Sequence, residues 1–452
     1  MKQLFRTFFL LITRILISIT WLMIFSNSGF CETLSLSQAV EKAVENNPGL
    51  HAAQFQSLSA QEKIAQAKSG FMPQIQLTGQ YSHTNNPMWA FGTKLNQEAI
   101  TQEDFDPARL NDPDGINNFI SAVSVSWPLY DSGQTLYSWK QARLNSEAAV
   151  LMAERTRHQV IARTITAYIG ALLARENLKV VKQTLGTARS HLKMVESRYK
   201  GGFVVKSDLL RAQVHIAELK QQLTEARSQI DIAGCMLSIS MGMPGNFKYA
   251  LSTPLEKGRA ITGSLDSWIS RAVSDRPDLK HMKYQKTIAE KELEKSRAAR
   301  HPSFSLSGRY ELNSEDLQDQ AENYAVGALV SLNLFSGGRI SAKIRESLSA
   351  VKQVDAMLQA KEQQVCGQTR QAFFNAKSAW ERIGVAQAAV GQAEESLRIV
   401  QNRYNSGLFT ITDLLDAEVT LQQSMTNHLK AVHDFRAAET MLALAASIID
   451  SK

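Results

Sequence analysis

An internal repeat constrains this chain more than any other feature. At an offset of 229 residues Leu36 matches Leu265, Ala43 matches Ala272, Pro48 matches Pro277, Pro73 matches Pro302, Leu77 matches Leu306 and Tyr81 matches Tyr310. At an offset of 205, Ser126 matches Ser331, Gly133 matches Gly338, Arg198 matches Arg403, Tyr199 matches Tyr404, Gly202 matches Gly407 and Asp208 matches Asp413. The chain is two copies of one unit. The offset falls by 24 between Tyr81 and Ser126, so the first copy carries an insertion within 84–118. That stretch has six acidic residues against Lys94 and Arg109 and reads NNP and DPARLNDPDG, which predicts an exposed loop.

Residues 1–31 are predicted to be a secretory signal peptide. Lys2, Arg6 and Arg14 precede an apolar run over 15–25, followed by Ser26, Asn27, Ser28 and Gly29. The run suits a signal core and is too short to span a membrane as a helix. Removing its three positive charges takes the net charge from +7 to +4, so part of the basic character belongs to the signal. Cys31 sits poorly for lipidation, with Phe30 before it and Ser28 three back. No later stretch reaches ~18 consecutive apolar residues, so membrane-spanning helices are not expected. At 44% apolar residues the chain is expected to be ordered, and three cysteines are too few for a disulfide scaffold. Basic residues are dispersed, so nucleic acid is not an expected partner.

The copies follow one order: short helix, helix, strand, loop, strand, very long helix, turn, helix. The first repeat is placed at 32–245, with strands about 74–83 and 119–128 and a helical hairpin about 132–241. The second is placed at 246–452, with strands about 303–312 and 324–333 and a hairpin about 336–446. In each strand apolar residues alternate with polar ones, as in Ile75, Leu77, Gly79 and Tyr81 against Gln76, Thr78 and Gln80. A half-buried soluble sandwich shares that pattern, but runs of this length also match a tilted strand crossing a bilayer. The helices favour the second reading. Leu178, Val181, Leu185, Ala188, Leu192, Val195 and Tyr199 form a heptad seam, matched by Ile383, Ala386, Val390, Ala393, Leu397, Val400 and Tyr404. The stretch 132–199 has no proline, and at about 1.5 Å per residue it makes about 100 Å of helix, far more than a globular domain uses. Four strands cannot close a barrel, since about eight is the smallest closed number, and open edges in lipid leave backbone groups unsatisfied. The chain is therefore expected to oligomerise, and dimer and trimer both satisfy the strand count.

The two-copy layout, the strand exits WPLYDSG (127–133) and LNLFSGG (332–338), and the turns RYKGGFVVKSDLLRAQ and RYNSGLFTITDLLDAE resemble the TolC-like outer membrane efflux proteins across essentially the whole mature chain. The resemblance implies a mostly α fold with a small β part, completed in a homotrimer as a 12-stranded β-barrel and an α-helical tunnel. It further implies a lipid bilayer setting and an exit duct working with a periplasmic adaptor (membrane fusion) protein and an inner membrane pump or ABC transporter. Adaptor docking falls on the turns, at Tyr199, Gly202, Tyr404 and Gly407. A periplasmic aperture falls on Asp208, Tyr404, Phe409, Asp413 and Asp416. Related proteins carry a basic residue where Phe409 stands, so Lys206, Arg211 or the Phe409 ring itself is expected to close the mouth.

The turn residues also have a local reading. Gly201, Gly202 and Gly407 suit left-handed helix ends, while Ser207 and Thr412 suit N-caps, with Asp208 and Asp413 in the first turn. Asp416 lies one turn beyond Asp413, where Arg211 holds the matching position of the first copy. Carboxylates repeated around an oligomer would favour cations. His281 and His301 show no metal-ligand spacing and are read as surface residues, and Cys235 and Cys366 as helix-packing residues. No HExxH, phosphate loop or GxSxG occurs, so neither an enzyme nor a cofactor is expected. Trp127, Tyr130, Tyr81 and Tyr310 fall near strand ends, as interfacial anchors do. A periplasmic coiled-coil scaffold or adaptor is the alternative, although it has no need of four alternating strands.

Overall fold

The computed structural model describes residues 33–245 and 249–449, so the predicted signal peptide and Cys31 lie outside the described residues. In chain order the elements are β1 (Thr33–Leu34), α1 (Leu36–Asn46), α2 (Pro48–Ser69), β2 (Gln74–Thr84), α3 (Pro87–Asn96), a 3-10 turn (Gln102–Phe105), α4 (Pro107–Asn111), β3 (Ile116–Tyr130), α5 (Gln134–Lys200) and α6 (Lys206–Ser240). The second copy follows with β4 (Ala250–Leu251), α7 (Leu265–Asp275), α8 (Pro277–Ala298), β5 (Ser303–Ser314), β6 (Ala321–Ser331), α9 (Arg339–Asn405) and α10 (Ile411–Ala445). Equivalent helices have equal lengths: α5 and α9 have 67 residues each, and α6 and α10 have 35. The repeat therefore extends to the turn-by-turn layout of the fold.

Local signals set the boundaries. Ser35 and Gln38 form a capping box on α1, and Asn47 followed by Pro48 starts α2. Each long helix is entered through two consecutive left-handed residues, Ser132 and Gly133 in the first copy and Gly337 and Gly338 in the second. Ser132 holds a conformation that favours glycine, and its hydroxyl donates to the Pro302 carbonyl at 2.8 Å.

The insertion differs from the expected loop. It forms α3, the 3-10 turn and α4, and Lys94 donates to the buried Asp104 carboxylate at 2.7 Å. The dipeptides Asn86-Pro87 and Asp106-Pro107, which read as turns, each supply an N-cap side chain and a proline at the first helical position.

The four long strands make one antiparallel sheet in the order β2-β3-β5-β6, with β3 and β5 joining the copies. The register aligns the apolar positions across the whole sheet. Leu77 pairs with Val123, Val123 with Tyr310 and Tyr310 with Tyr324, while on the next rung Ile75, Val125, Gly308 and Val326 are in line. The alternate rungs are polar, as in Gln76, Ser124 and Arg309, with an Arg309–Glu311 ion pair at 2.6 Å. The apolar face is uncovered, with Leu77 75% and Val326 82% exposed. A half-buried sandwich would cover that face, and nothing in the described chain does.

Beyond the sheet the helices pack as two antiparallel hairpins, α5/α6 and α9/α10, with α2 and α8 continuing the walls along the upper parts of α5 and α9. Seam residues Val181, Leu185, Ala188 and Val195 of α5, and Ile383, Val390 and Ala393 of α9, are buried as the heptads predict. Each fully buried leucine or valine stabilises the hairpin by about 1.5–3 kcal/mol relative to an exposed one. The middle of the molecule has its own core around Tyr168, whose hydroxyl donates to the Leu34 carbonyl at 2.8 Å and accepts from the Thr253 amide at 3.2 Å. No described helix is long and apolar enough to cross a membrane.

Candidate functional site: the hairpin tips

The ends of the two hairpins lie side by side, and the sequence motifs there resolve into a defined geometry. Gly202 and Gly407 take left-handed conformations at φ 78° and 77°, whereas Gly201 stays right-handed, against the sequence expectation. A Cβ at position 202 or 407 would meet no neighbour, so glycine is required there by the backbone conformation and not by crowding. In each turn an amide five residues on closes the helix: Phe203 donates to the Arg198 carbonyl and Leu408 to the Arg403 carbonyl, both at 2.9 Å.

The caps also lie two residues earlier than Ser207 and Thr412. Helix α6 starts after Val205, which offers no side-chain cap, and α10 starts after Thr410. Thr410 and Asp413 form the capping box. The Asp413 carboxylate accepts from the Thr410 amide at 2.8 Å and from its hydroxyl at 2.7 Å, and these bonds hold its pKa below the usual carboxylate value. Residues 205 and 410 are extended, and each helix begins directly after them.

A small apolar cluster of Val195, Ala212, Tyr404, Ile411 and Leu414 joins all four long helices at this end, with Leu209 and Phe409 packed against it. Tyr404 is buried. Burial raises the Tyr404 pKa; the Arg198 charge opposes that rise and Asp208 adds to it. Asp208 is half-buried in the first turn of α6, so Asp208 and Tyr404 are neighbours without being bonded. Phe409 packs into the cluster with the Arg403 guanidinium over its ring at 5.3 Å. The bridge between hairpins falls to a residue that sequence reading did not single out for it. The Arg198 guanidinium lies over the Tyr404 ring at 4.8 Å and donates to the carbonyls of Tyr404 and Asn405, each at 3.0 Å. Arg211 makes a second bridge by donating to the Thr412 hydroxyl, whereas Lys206 stays exposed at the start of α6.

The remaining predicted residues lie on the outside of this cluster. Asp413, Asp416, Tyr199, Gly202 and Gly407 are exposed, and Asp416 lines a groove between α6 and α10 with Ser207, Arg211, His215 and Glu218. The equivalent turn residues Phe203 and Leu408 project as large exposed apolar side chains, a feature not anticipated from sequence. One helical turn above the cluster the core becomes polar: Glu418 of α10 contacts His191 of α5 and His215 of α6. No spacing in the sequence joins those three residues.

No group of three His, Cys, Asp or Glu side chains suited to a metal ion occurs among the described residues. His281 is half-buried rather than on the surface, with its pKa lowered by burial, and His301 is exposed. Cys235 and Cys366 are half-buried free thiols on α6 and α9.

The outer membrane efflux protein family profile matches residues 39–242 and 268–447. The alkaline protease secretion protein AprF of Pseudomonas aeruginosa is 24% identical, covering 92% of this chain and 85% of its own length. The outer membrane protein TolC of Escherichia coli is 22% identical, covering 90% of this chain and 81% of its own. The crystal structure of the CmeC outer membrane channel of Campylobacter jejuni superposes with a TM-score of 0.75 at 18% identity, over 91% of this chain and 85% of that one. By the extent of the family match, across both copies of the repeat, the chain belongs to the outer membrane efflux protein family.

Proposed function

We propose that three copies of this chain close one barrel in the outer membrane and one helical tunnel beneath it, forming an exit duct for efflux or type I secretion. The observation that carries this reading is the register-matched apolar face of the sheet, left uncovered at one end of helices about 100 Å long. Strands β2 and β6 form the sheet's edges. Lipid cannot satisfy edge backbone groups, so the edges are served by neighbouring copies. Three copies supply twelve strands. A scaffold or adaptor confined to the periplasm has no use for such a sheet. Purified mature protein is expected to require detergent, run as a trimer and conduct ions in planar bilayers. A water-soluble monomer without conductance would refute the proposal.

The tips form the periplasmic mouth in this reading, and an adaptor docks there before an inner membrane pump or ABC transporter delivers substrate. Exposed Phe203 and Leu408, carried on the turns fixed by Gly202 and Gly407, support docking of a partner with apolar contacts. Photo-crosslinkers placed at Tyr199, Phe203 or Leu408 are expected to capture the adaptor in cells. Capture only from positions high on α5 or α9 would reject tip docking.

Asp413 and Asp416, repeated three times, place carboxylates around the mouth and favour cations. With Asp413→Ala and Asp416→Ala combined, the reconstituted channel is expected to lose most of its preference for potassium over chloride. Unchanged reversal potentials would remove both residues from the aperture. Relatives of this kind conduct or export rather than transform their cargo, and we assign this chain no catalytic residue.

A further inference from the structure

The core between the two hairpins is layered. The tip cluster joins both hairpins at the end, and higher up Leu185, Ala188, Ile216 and Leu219 make an apolar layer within the α5/α6 hairpin. Between them sits a polar layer with one residue from each long helix: His191 (α5), His215 (α6), Gln401 (α9) and Glu418 (α10). Glu418 is 3%, His191 4% and His215 6% exposed. The Glu418 carboxylate contacts His191 Nδ1 with one oxygen and lies 3.4 Å from His215 Nε2 with the other, while Gln401 Nε2 is 3.2 Å from His191 Nε2. Glu418 continues the buried seam of Ile411 and Leu414, where a leucine would be ordinary. Its repeat-mate Gln213 is exposed, so the layer belongs to this one meeting of the four helices.

We propose that this layer is a proton-sensitive latch between the hairpins, closed while one imidazole is charged and released when both are. The charge count gives the reason. One ionised carboxylate and one imidazolium are neutral together, and a second imidazolium leaves a net positive charge in a site closed to water, which is costly. The least expensive relief is to hydrate the layer by parting α10 from α5 and α6. Burial pushes the Glu418 carboxyl up, but the two imidazoles together hold it below the ordinary glutamate value. Glu418 therefore stays charged through mildly acidic pH. Its stabilising contribution is lost only below the ordinary carboxylate range.

The surroundings contribute further charges. On α6, Glu218 lies 3.9 Å from His215 Nδ1 at the solvent side, and Arg211 lies one turn below in the same groove. On α10, Asp416 lines that groove, while on α5 Arg198 is engaged with the Tyr404 and Asn405 carbonyls. On α9 the layer is faced by the uncharged Gln401.

The test is a distance. Gln422 donates to Gln222 at 2.6 Å across α10 and α6, one turn above the layer on α10 and about two on α6. Nitroxide labels at these two positions, in the full chain with Cys31→Ser, Cys235→Ser and Cys366→Ser and diluted with unlabelled chain, report the separation by dipolar broadening. Lowering the pH from 7.5 to 5.5 is expected to widen it reversibly by about 2 Å, the amplitude typical of interface helix shifts. His215→Gln and His191→Gln, each leaving one imidazole, should abolish the response. Glu218→Gln and Asp416→Asn should keep it. An unchanged separation in the parent, an undiminished response in both histidine variants, or loss of the response in the two rim variants would overturn the proposal. The latch acts on the mouth only if the chain is a duct, but this readout needs no conductance and so separates failure of the latch from failure of the duct.

Discussion

Replacing Arg198 with alanine is expected to open the channel. The guanidinium makes two charge-assisted hydrogen bonds to carbonyls at the end of the opposite hairpin and covers the Tyr404 ring. Hydrogen bonds to charged groups are worth about 1.5–3 kcal/mol each, so even one lost bond per chain shifts the closed-to-open ratio tenfold or more. Arg198→Ala should therefore raise mean single-channel conductance and open probability in planar bilayers. Arg403→Ala is the internal comparison: it removes the same residue type at the equivalent position of the second copy. Arg403 covers only Phe409 of its own hairpin, a contact worth about 0.5–1 kcal/mol near the surface. Arg198→Lys should fall between the two, because an ammonium cannot span two carbonyls as the planar fork does. Equal conductance for Arg198→Ala and Arg403→Ala would show that the bridge does not hold the mouth.

The repeat, the alternating strands and the heptad seams are legible because each is a periodic burial pattern, and periodicity survives without knowledge of the partner. Strand positions 74–84, 116–130, 303–314 and 321–331 lie within a few residues of the periodic runs for that reason. The repeat is silent about where its two copies differ. Arg198 and Arg403 are equivalent in sequence, yet only Arg198 faces the other hairpin, and Glu418 is buried where Gln213 is exposed. Both differences come from the rotational setting of hairpin against hairpin, which depends on contacts across some 200 residues of chain.

Local chemistry was harder to read where one residue type serves two structures. Asn86-Pro87 and Asp106-Pro107 read as turns because the same residues that open turns also cap helices and supply proline at the first helical position. Thr410 and Thr412 are both plausible caps on residue type. The choice follows from Asp413, which closes a box with a residue three before it and so selects Thr410. His191, His215 and Glu418 lie on three helices, and no spacing rule reaches across them.

The largest loss of stability is expected from Asp278→Ala. Arg276 is 1% exposed, and its guanidinium grips Asp278 with two hydrogen bonds at 2.9 and 2.7 Å and donates to Gln368 of α9 at 2.8 Å. The same carboxylate receives Lys361 of α9 at 2.8 Å, and the charge of Arg155 on α5 acts on it as well. One carboxylate thus serves cations from the α7–α8 junction, from α9 and from α5 where the copies meet. Removing it strands a buried guanidinium among like charges, which typically costs about 3–5 kcal/mol, more than a seam leucine contributes. Urea unfolding of the detergent-solubilised protein should show that loss. Its pH dependence identifies the cause: burial pushes the Asp278 carboxyl up, but Arg276 and Lys361 hold it far below the usual range. A depressed carboxylate stabilises fully above its unfolded value of about 4 and loses that contribution only as pH falls through the folded value. The gap between parent and Asp278→Ala should stay constant from pH 8 to 5 and close below about pH 4. A gap that closed near neutrality would instead assign the effect to the half-buried His281 imidazole beside it.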